Sequence, residues 1–299
     1  MHHISQVEAI QRVQDYIESH WKEPITLQQL ARISQYSPSH TERLFKELTQ
    51  VNLFTYIRQI RLTEAAKEMR IQETKKTILD YSLDYLFDSH EGFTRAFSKA
   101  FGVSPKRYQT NPIPIPYFKT FGVKGYYDFT HRKKEKRMNT KTVFVQVMER
   151  PIRQAIIKRG IQAKEYFAYC EEVGCDVWGI LESIPEALFE PAGFWLPKHL
   201  ILPHTSEYVQ GVEVPIDFVG IVPEGFDLIT LDQGLFMVFQ GEPYPDESFM
   251  DAIGEVWQHI ASFDPKLYGY EWDNSHPRFQ LEPRGYRGYI ESRGVKKLS

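Results

Sequence analysis

Residues 30–46 read LARISQYSPSHTERLFK. Leu30, Ala31 and Ile33 form the apolar face of a short helix, and Ser34-Gln35-Tyr36 breaks its period. Ser37-Pro38 starts the pattern again. A serine caps a helix by accepting from a freed backbone N–H, and proline suits the first helical position, where no N–H is needed. Leu44, Phe45 and Leu48 make the next apolar stripe, which leaves Ser39, His40, Glu42, Arg43 and Lys46 polar on a helix of a few turns. Two short helices across a tight turn, the second polar outward, predict a helix-turn-helix. Taken alone, the stretch fits an ordinary helical hairpin equally well.

A second copy separates the two readings. A shift of 52 residues carries Ser37 onto Ser89, Arg43 onto Arg95, Phe45 onto Phe97, Val51 onto Val103 and Tyr56 onto Tyr108. A duplicated unit ending in a polar helix predicts two readers on one rigid frame. In these residues the sequence resembles the AraC/XylS family of transcription regulators, through Phe87-Asp88-Ser89, Phe93-Thr94-Arg95-Ala96-Phe97, Phe101-Gly102-Val103-Ser104-Pro105 and Tyr108. The resemblance covers about residues 5–110. It implies binding of double-stranded DNA as a monomer, with RNA polymerase open as a further partner. The chain departs from the family at the turns, where glycine is usual and Gln35 and Leu86 stand instead. A backbone with φ > 0 at either place would carry strain.

Arginine forks onto guanine O6 and N7 or clamps a phosphate, and both roles stay open for Arg43 and Arg95. The resemblance carries Ser39 and Glu42 to base-facing positions. A glutamate there repels phosphate but accepts from cytosine N4. His40 and Lys46 complete the first polar face, and His90, Glu91 and Thr94 stand with Arg95 on the second. Gly92 leaves the second face bare, so less base readout is expected from it.

The chain has 299 residues, 42% hydrophobic and 14% aromatic, and a formal net charge of −3, enough for two globular domains. The charge is unevenly spread. Residues 1–141 hold 23 Lys+Arg against 15 Asp+Glu, and residues 142–299 hold 13 against 24. A basic half suits a phosphate backbone and an acidic half does not. No apolar run approaches a membrane span, and the start has no signal-peptide core, which points to the cytoplasm and away from membranes. Cys170 and Cys175 are too few for a disulfide framework or a zinc site and read as buried thiols, so no metal or cofactor is expected.

Along the first half, Ser5-Gln6-Val7-Glu8 has capping-box spacing, and Val7, Ile10, Val13, Ile17 and Trp21 predict a helix over 6–21. Thr26-Leu27-Gln28-Gln29 caps the next helix in the same way. Recognition helices are predicted over 38–49 and 90–100, a long connecting helix over 54–69, and a fifth helix over 77–86. Residues 1–110 thus form an all-α double helix-turn-helix domain. Pro112, Pro114 and Pro116 favour an extended linker over 111–141. Within it, 117–129 reads as a short hairpin, and the charged run 131–137 as a solvated hinge ahead of an extra phosphate contact.

Residues 142–299 change character. Strands are predicted over 143–149, 154–158, 193–196, 208–214, 226–231, 235–240, 278–281 and 286–291, with helices over 164–172, 178–184 and 248–262. Strand-strand-helix-strand-strand, twice over, is an α+β domain with an antiparallel sheet. The chain here resembles the GyrI-like effector-binding domain, through Tyr208-Val209-Gln210-Gly211-Val212-Glu213-Val214, Val222-Pro223-Glu224-Gly225-Phe226, the run from Gly234 to Phe239, and the helix holding Trp257. With the first resemblance, this looks like the Rob-type domain order, which implies duplicated strand-helix-strand units. Ligand-sensing members hold cationic aromatic compounds between aromatics and a buried acid in a late strand. Gln280 of Phe279-Gln280-Leu281 replaces that acid, and Glu213 is the residue that could compensate.

Trp195, Tyr208, Phe236, Trp272 and Tyr289 are candidates for the wall of a site for a small aromatic ligand, or for core. Gln280 in the acid's place favours a neutral or weakly basic ligand. His199 and His204 read as bystanders. The leading function is a DNA-binding transcription regulator with a sensor domain. The alternatives are a GyrI-like hydrolase, an alkyl-transfer enzyme and a protein-interaction module tethered to DNA. Hydrolysis wants a pocket glutamate, and alkyl transfer wants an activated cysteine; Cys170 precedes Glu171-Glu172, which disfavours a thiolate.

Overall fold

Val7, Ile10, Val13 and Ile17 are buried along one side of α1 (Ile4–His20). The computed structural model describes residues 4–71, 76–131, 142–245 and 248–298 of a chain that divides into two units, Met1–Lys133 and Lys134–Ser299. Helix α1 begins before Ser5, so Ser5 lies inside the helix rather than capping it. Helix α2 (Leu27–Ser34) starts with the expected capping box: Gln29 N donates to Thr26 Oγ1 at 3.3 Å and Thr26 N to Gln29 Oε1 at 2.7 Å. Helix α3 (Pro38–Thr49) is capped by Ser37, which accepts from His40 N, with Pro38 in the first turn.

The turn between α2 and α3 is closed by a buried hydroxyl pair, Ser34 Oγ and Thr41 Oγ1, 2.7 Å apart. Ser34 Oγ also receives Tyr36 N at 3.2 Å. The chain passes the turn through Gln35 at φ 63°, and the second motif repeats the manoeuvre at Leu86, φ 59°. Both positions at which the sequence departs from glycine are therefore left-handed. The ends of the recognition helices make the same contrast, with Gln50 at φ 61° closing α3 and Gly102 at φ 70° closing the second.

Helix α4 (Leu53–Ile71) serves two cores. Leu53, Tyr56, Ile57 and Ile60 pack with Val7, Ile10, Leu30, Leu44 and Phe45. Leu62, Ala65, Ala66 and Met69 pack with residues of α5 (Ile78–Asp84), α6 (His90–Phe101) and α7 (Pro105–Thr110): Ile78, Tyr81, Phe93, Phe97 and Tyr108 among them.

The expected linker is only partly one. Residues 112–122 carry neither helix nor strand, but Ile115 and Tyr117 are buried in the second core. Tyr117 Oη lies 3.1 Å from Tyr108 Oη, and Phe118 N donates to Thr63 Oγ1 at 2.9 Å. The segment read as a hairpin is instead α8 (Val123–His131), held on α1 where Val123 N donates to Gln14 Oε1 and Lys124 N to Gln11 Oε1, both at 3.0 Å. Proline spacing accounts for the absence of helix over 112–122 but says nothing of what the alternating apolar residues bury against. Most of the charged run 131–137 lies outside the described residues.

The second unit is an antiparallel sheet in the order β1-β6-β9-β8-β3-β4-β2-β5, with β7 beside β9. Its strands are β1 (Val143–Arg150), β2 (Arg153–Arg159), β3 (Ala192–Trp195), β4 (Tyr208–Val214), β5 (Asp227–Leu231), β6 (Gly234–Gly241), β7 (Tyr270–Trp272), β8 (Arg278–Leu281) and β9 (Ile290–Lys297). One face carries α9 (Tyr166–Glu172) and α10 (Asp176–Glu182) over β2 and β4, and α11 (Phe249–Ser262) over β6 and β9. The opposite face buries Ala155, Ile157, Phe194, Val209, Phe236 and Phe279. The closing strand begins later than expected, because the chain turns at Gly285–Arg287 and Gly288 takes φ 79°. A Cβ at Gly288 would collide with the Gly241 carbonyl. Among the described residues, no helix is long and apolar enough to cross a membrane.

Gln35→Gly and Leu86→Gly each remove a side chain from a left-handed backbone. Each is expected to stabilise the protein by about 0.5–1 kcal/mol despite the entropy glycine adds to the unfolded chain. Urea unfolding of the full chain checks this, and a lower midpoint for both variants overturns it.

Candidate functional site

The first candidate surface is the outer face of α3. Ser39, Glu42, Arg43 and Lys46, spaced three and four apart, are exposed together because Thr41, Leu44 and Phe45 take the buried side. His40 is half-buried against the Tyr36 ring, with centroids 4.7 Å apart. Its Nδ1 accepts from Arg43 Nη2 at 2.9 Å, since a guanidinium only donates. Arg43 Nε lies 3.8 Å from Glu47 Oε1, and the arginine side chain is 66% exposed. An ion pair that open to water is worth little, so Arg43 leaves it cheaply.

The second surface is the outer face of α6. Ser89 caps it by accepting from Gly92 N at 3.0 Å. His90, Glu91 and Arg95 are exposed, and Thr94 is half-buried with its hydroxyl unpartnered. Phe93, Phe97 and Phe101 anchor the opposite side.

The sheet splits the seven candidate ligand residues between its two faces. Side chains alternate along a strand, so Glu213 points away from Tyr208. It lies on the face opposite α9–α11, as does Phe236, which packs with Phe194, Val209 and Phe279. There Glu213 is taken up by two arginines: Arg153 Nε at 2.6 Å and Arg150 Nη1. The Arg150 guanidinium sits between Phe189 and Phe279, at 4.5 and 4.6 Å, and burial pushes its pKa down. Glu213 and Phe236 are therefore apart from any site on the helix-covered face.

Trp195, Tyr208, Gln280, Tyr289 and Trp272 lie on the helix-covered face. Trp272 stands to one side against Phe239 and Phe263. The rest gather over the middle strands. Gln210, Gly193, Gln280 and Glu291 pair across β4, β3, β8 and β9 as one row. Gly193 leaves room for the Tyr208 hydroxyl, 2.6 Å from where a Cβ would stand. Both amide atoms of Gln210 and the Tyr208 hydroxyl are buried with no hydrogen-bond partner.

The buried acid of this face is Glu291, whose side chain is 0% exposed. Sequence reasoning sought it at Gln280 and ended the strand at Glu291. Strand alternation from Tyr289 would have placed the two side by side. Glu291 Oε2 accepts from Trp257 Nε1 at 2.7 Å, Arg278 Nη2 at 2.9 Å and Tyr289 Oη at 3.0 Å, and Oε1 lies 2.7 Å from Arg278 Nε and 3.1 Å from Arg293 Nε. Tyr289 Oη is also 2.9 Å from Gln280 Oε1. Burial, then the charge of Glu291, pushes the Tyr289 pKa well up, so it stays a donor.

The two cysteines meet beside this row. Cys170 is half-buried near the end of α9 and Cys175, at the start of α10, is exposed, which corrects the reading of two buried thiols. A hydrogen bond from the Cys170 thiol holds Cys175 below the usual thiol range. The same bond, then burial, pushes Cys170 above it.

A family model described as a helix-turn-helix domain matches residues 30–111. Over 98 residues the chain is 43% identical to the Transposon Tn10 TetD protein of Escherichia coli, a match that takes in 33% of this chain and 70% of that one. Over 97 residues it is 39% identical to the Right origin-binding protein of Escherichia coli strain K12, covering 32% of this chain and 33% of that one. The match thus spans about a third of that relative's length. Among solved structures, the EcmrR C-terminal domain covers 52% of this chain and 99% of its own, at 13% identity and a TM-score of 0.36.

Limiting iodoacetamide at about pH 7.5 is expected to alkylate Cys175 well before Cys170, because the thiolate is the nucleophile. Peptide mass mapping reads the ratio, and equal labelling or faster labelling of Cys170 overturns the assignment.

Proposed function

This chain belongs to the AraC family of DNA-binding helix-turn-helix transcription regulators, and on that premise we propose that α3 and α6 enter successive major grooves of one duplex, as a monomer, while the second unit senses a small flat ligand. The observation that carries the DNA reading is the pair of polar helix faces whose cores share α4. At 1.5 Å per residue its 19 residues are about 28 Å long, close to the ~34 Å between successive major grooves. In this reading α3 reads bases through Ser39, Glu42 and Arg43, with His40 orienting Arg43 and Lys46 on phosphate. Gly92 thins the face of α6, so His90, Glu91, Thr94 and Arg95 mainly anchor the backbone.

The second unit is read as a GyrI-like effector-binding domain of two copies of one strand-helix-strand unit. The order β2-β4-β3 on one side of the sheet corresponds to β6-β9-β8 on the other, and each copy lends its first strand to the other's edge. The ligand would seat between the two helix groups, on Trp195, Tyr208, Gln280 and Tyr289, with Trp257 as a further wall. Hydrolysis is disfavoured, because both oxygens of Glu291, the buried acid of that site, are already engaged by two arginines and an indole N–H rather than turned to a water.

Selection of a binding site from random duplexes by the full chain, followed by titration of two variants, tests the DNA reading. Arg43→Ala is expected to lose about 1–3 kcal/mol on the selected site and almost nothing on random DNA. Arg95→Ala is expected to weaken both alike and to lower the salt slope by about one. Unchanged binding for both variants removes these faces from the interface.

A further inference from the structure

The acid-and-aromatic box around Glu291 already contains a cation, and that cation is part of the chain. The Arg278 guanidinium lies 3.9 Å over the Trp195 ring and 5.6 Å from the Trp257 ring, the position an aromatic-cage ligand would take. It is paired with Glu291, and Arg293 reaches the same carboxylate while lying 5.9 Å over Trp272. Two guanidiniums on one carboxylate leave a net charge of +1. Both arginines are partly open to solvent, at 28% and 34%, while the acid is fully enclosed. Arg278 donates from Nη2 to Glu291, with Nε 2.7 Å from the same carboxylate, and Arg293 donates from Nε. The donors Arg278 Nη1 and Arg293 Nη1 and Nη2 have no partner among the described residues.

Resting on the sensor reading above, we propose that Arg278 is a built-in occupant of this box and that the cleft takes a planar aromatic carboxylate. The carboxylate would bond to the free guanidinium donors at the mouth and bring the cluster to neutrality, and the ring would lie against the exposed part of Trp257 and Trp195. An organic cation meets the reverse situation. Its counter-charge is already satisfied, the ring face it needs is covered by Arg278, and it would be desolvated beside a surplus positive charge. Charge selection thus comes from Arg278 and Arg293 together, and Gln280 supplies only a neutral floor.

Three probes of one shape separate these outcomes: 1-naphthoate, 1-naphthamide and (1-naphthyl)trimethylammonium, titrated into the full chain by calorimetry and by quenching of tryptophan fluorescence. The wild type is expected to bind the carboxylate about tenfold or more tighter than the amide, and the cation weakest. In Arg278→Gln that ranking is expected to collapse, with the carboxylate weakened about tenfold and the cation gaining. Arg293→Gln, at the more exposed position, is expected to weaken the carboxylate without admitting the cation, and serves if Arg278→Gln does not fold. A wild type that prefers the cation, or that ignores charge, overturns the inference and leaves the sensor reading standing. Failure of all three probes to bind wild type and both variants overturns the sensor reading itself.

Discussion

Everything in the first unit hangs on one helix being wetted on no side that matters: α4 puts Tyr56, Ile57 and Ile60 into one core and Leu62, Ala65, Ala66 and Met69 into the other. Neither motif could bury its helices without the half of α4 assigned to it, so the two polar faces cannot drift independently. Polar bonds fix the same joint. Arg61 donates to the Trp21 and Glu23 carbonyls, both at 2.9 Å, and Trp21 stacks on Tyr85 with ring centroids 5.7 Å apart. Buried Gln14 donates to Tyr56 Oη and the Phe121 carbonyl and accepts from Val123 N. It thereby ties α1, α4 and the segment before α8 with a single side chain.

The helical half was legible because its signals are local. Caps at Thr26, Ser37 and Ser89, proline at 38 and apolar spacing all act within one turn of chain, and they placed α2, α3 and α6 closely. The departure from glycine at Gln35 and Leu86 was equally readable, since φ > 0 is a property of single residues. What failed was tertiary. Ile115 and Tyr117 alternate in a proline-rich run, and only the presence of Thr63 and Tyr108 turns that run into core. The candidate ligand residues of the second unit failed for the same reason. Five of the seven chosen residues share a face, but Glu291 and Arg278 became visible only when register put Gln280 beside Glu291 and Trp195 beside Arg278.

Among its described residues the second unit buries two carboxylates, one per sheet face, and gives each two arginines and a set of aromatic rings. Removing one partner from such a cluster typically costs about 3–5 kcal/mol, because the remainder is stranded in low dielectric. These clusters are weak sources of net stability but strong arbiters of register. A one-residue slip of β9 would turn Glu291 from its arginines to the opposite face, so β8 and β9 have one acceptable alignment.

The buried hydroxyl pair in the first turn has a consequence for how such sequences diversify. Ser34 and Thr41 satisfy each other across the α2–α3 junction. A change at either alone breaks this bond but leaves the other hydroxyl a backbone partner, since Ser34 Oγ also donates to the Ala31 carbonyl and Thr41 Oγ1 to the Ser37 carbonyl, both at 3.0 Å. The cost is then that of one hydrogen bond, about 0.5–1.5 kcal/mol. Drift at this junction can therefore proceed one residue at a time, through intermediates that keep a satisfied hydroxyl. The serine–threonine contact thus holds the turn without tying the two positions to each other as the sequence diversifies.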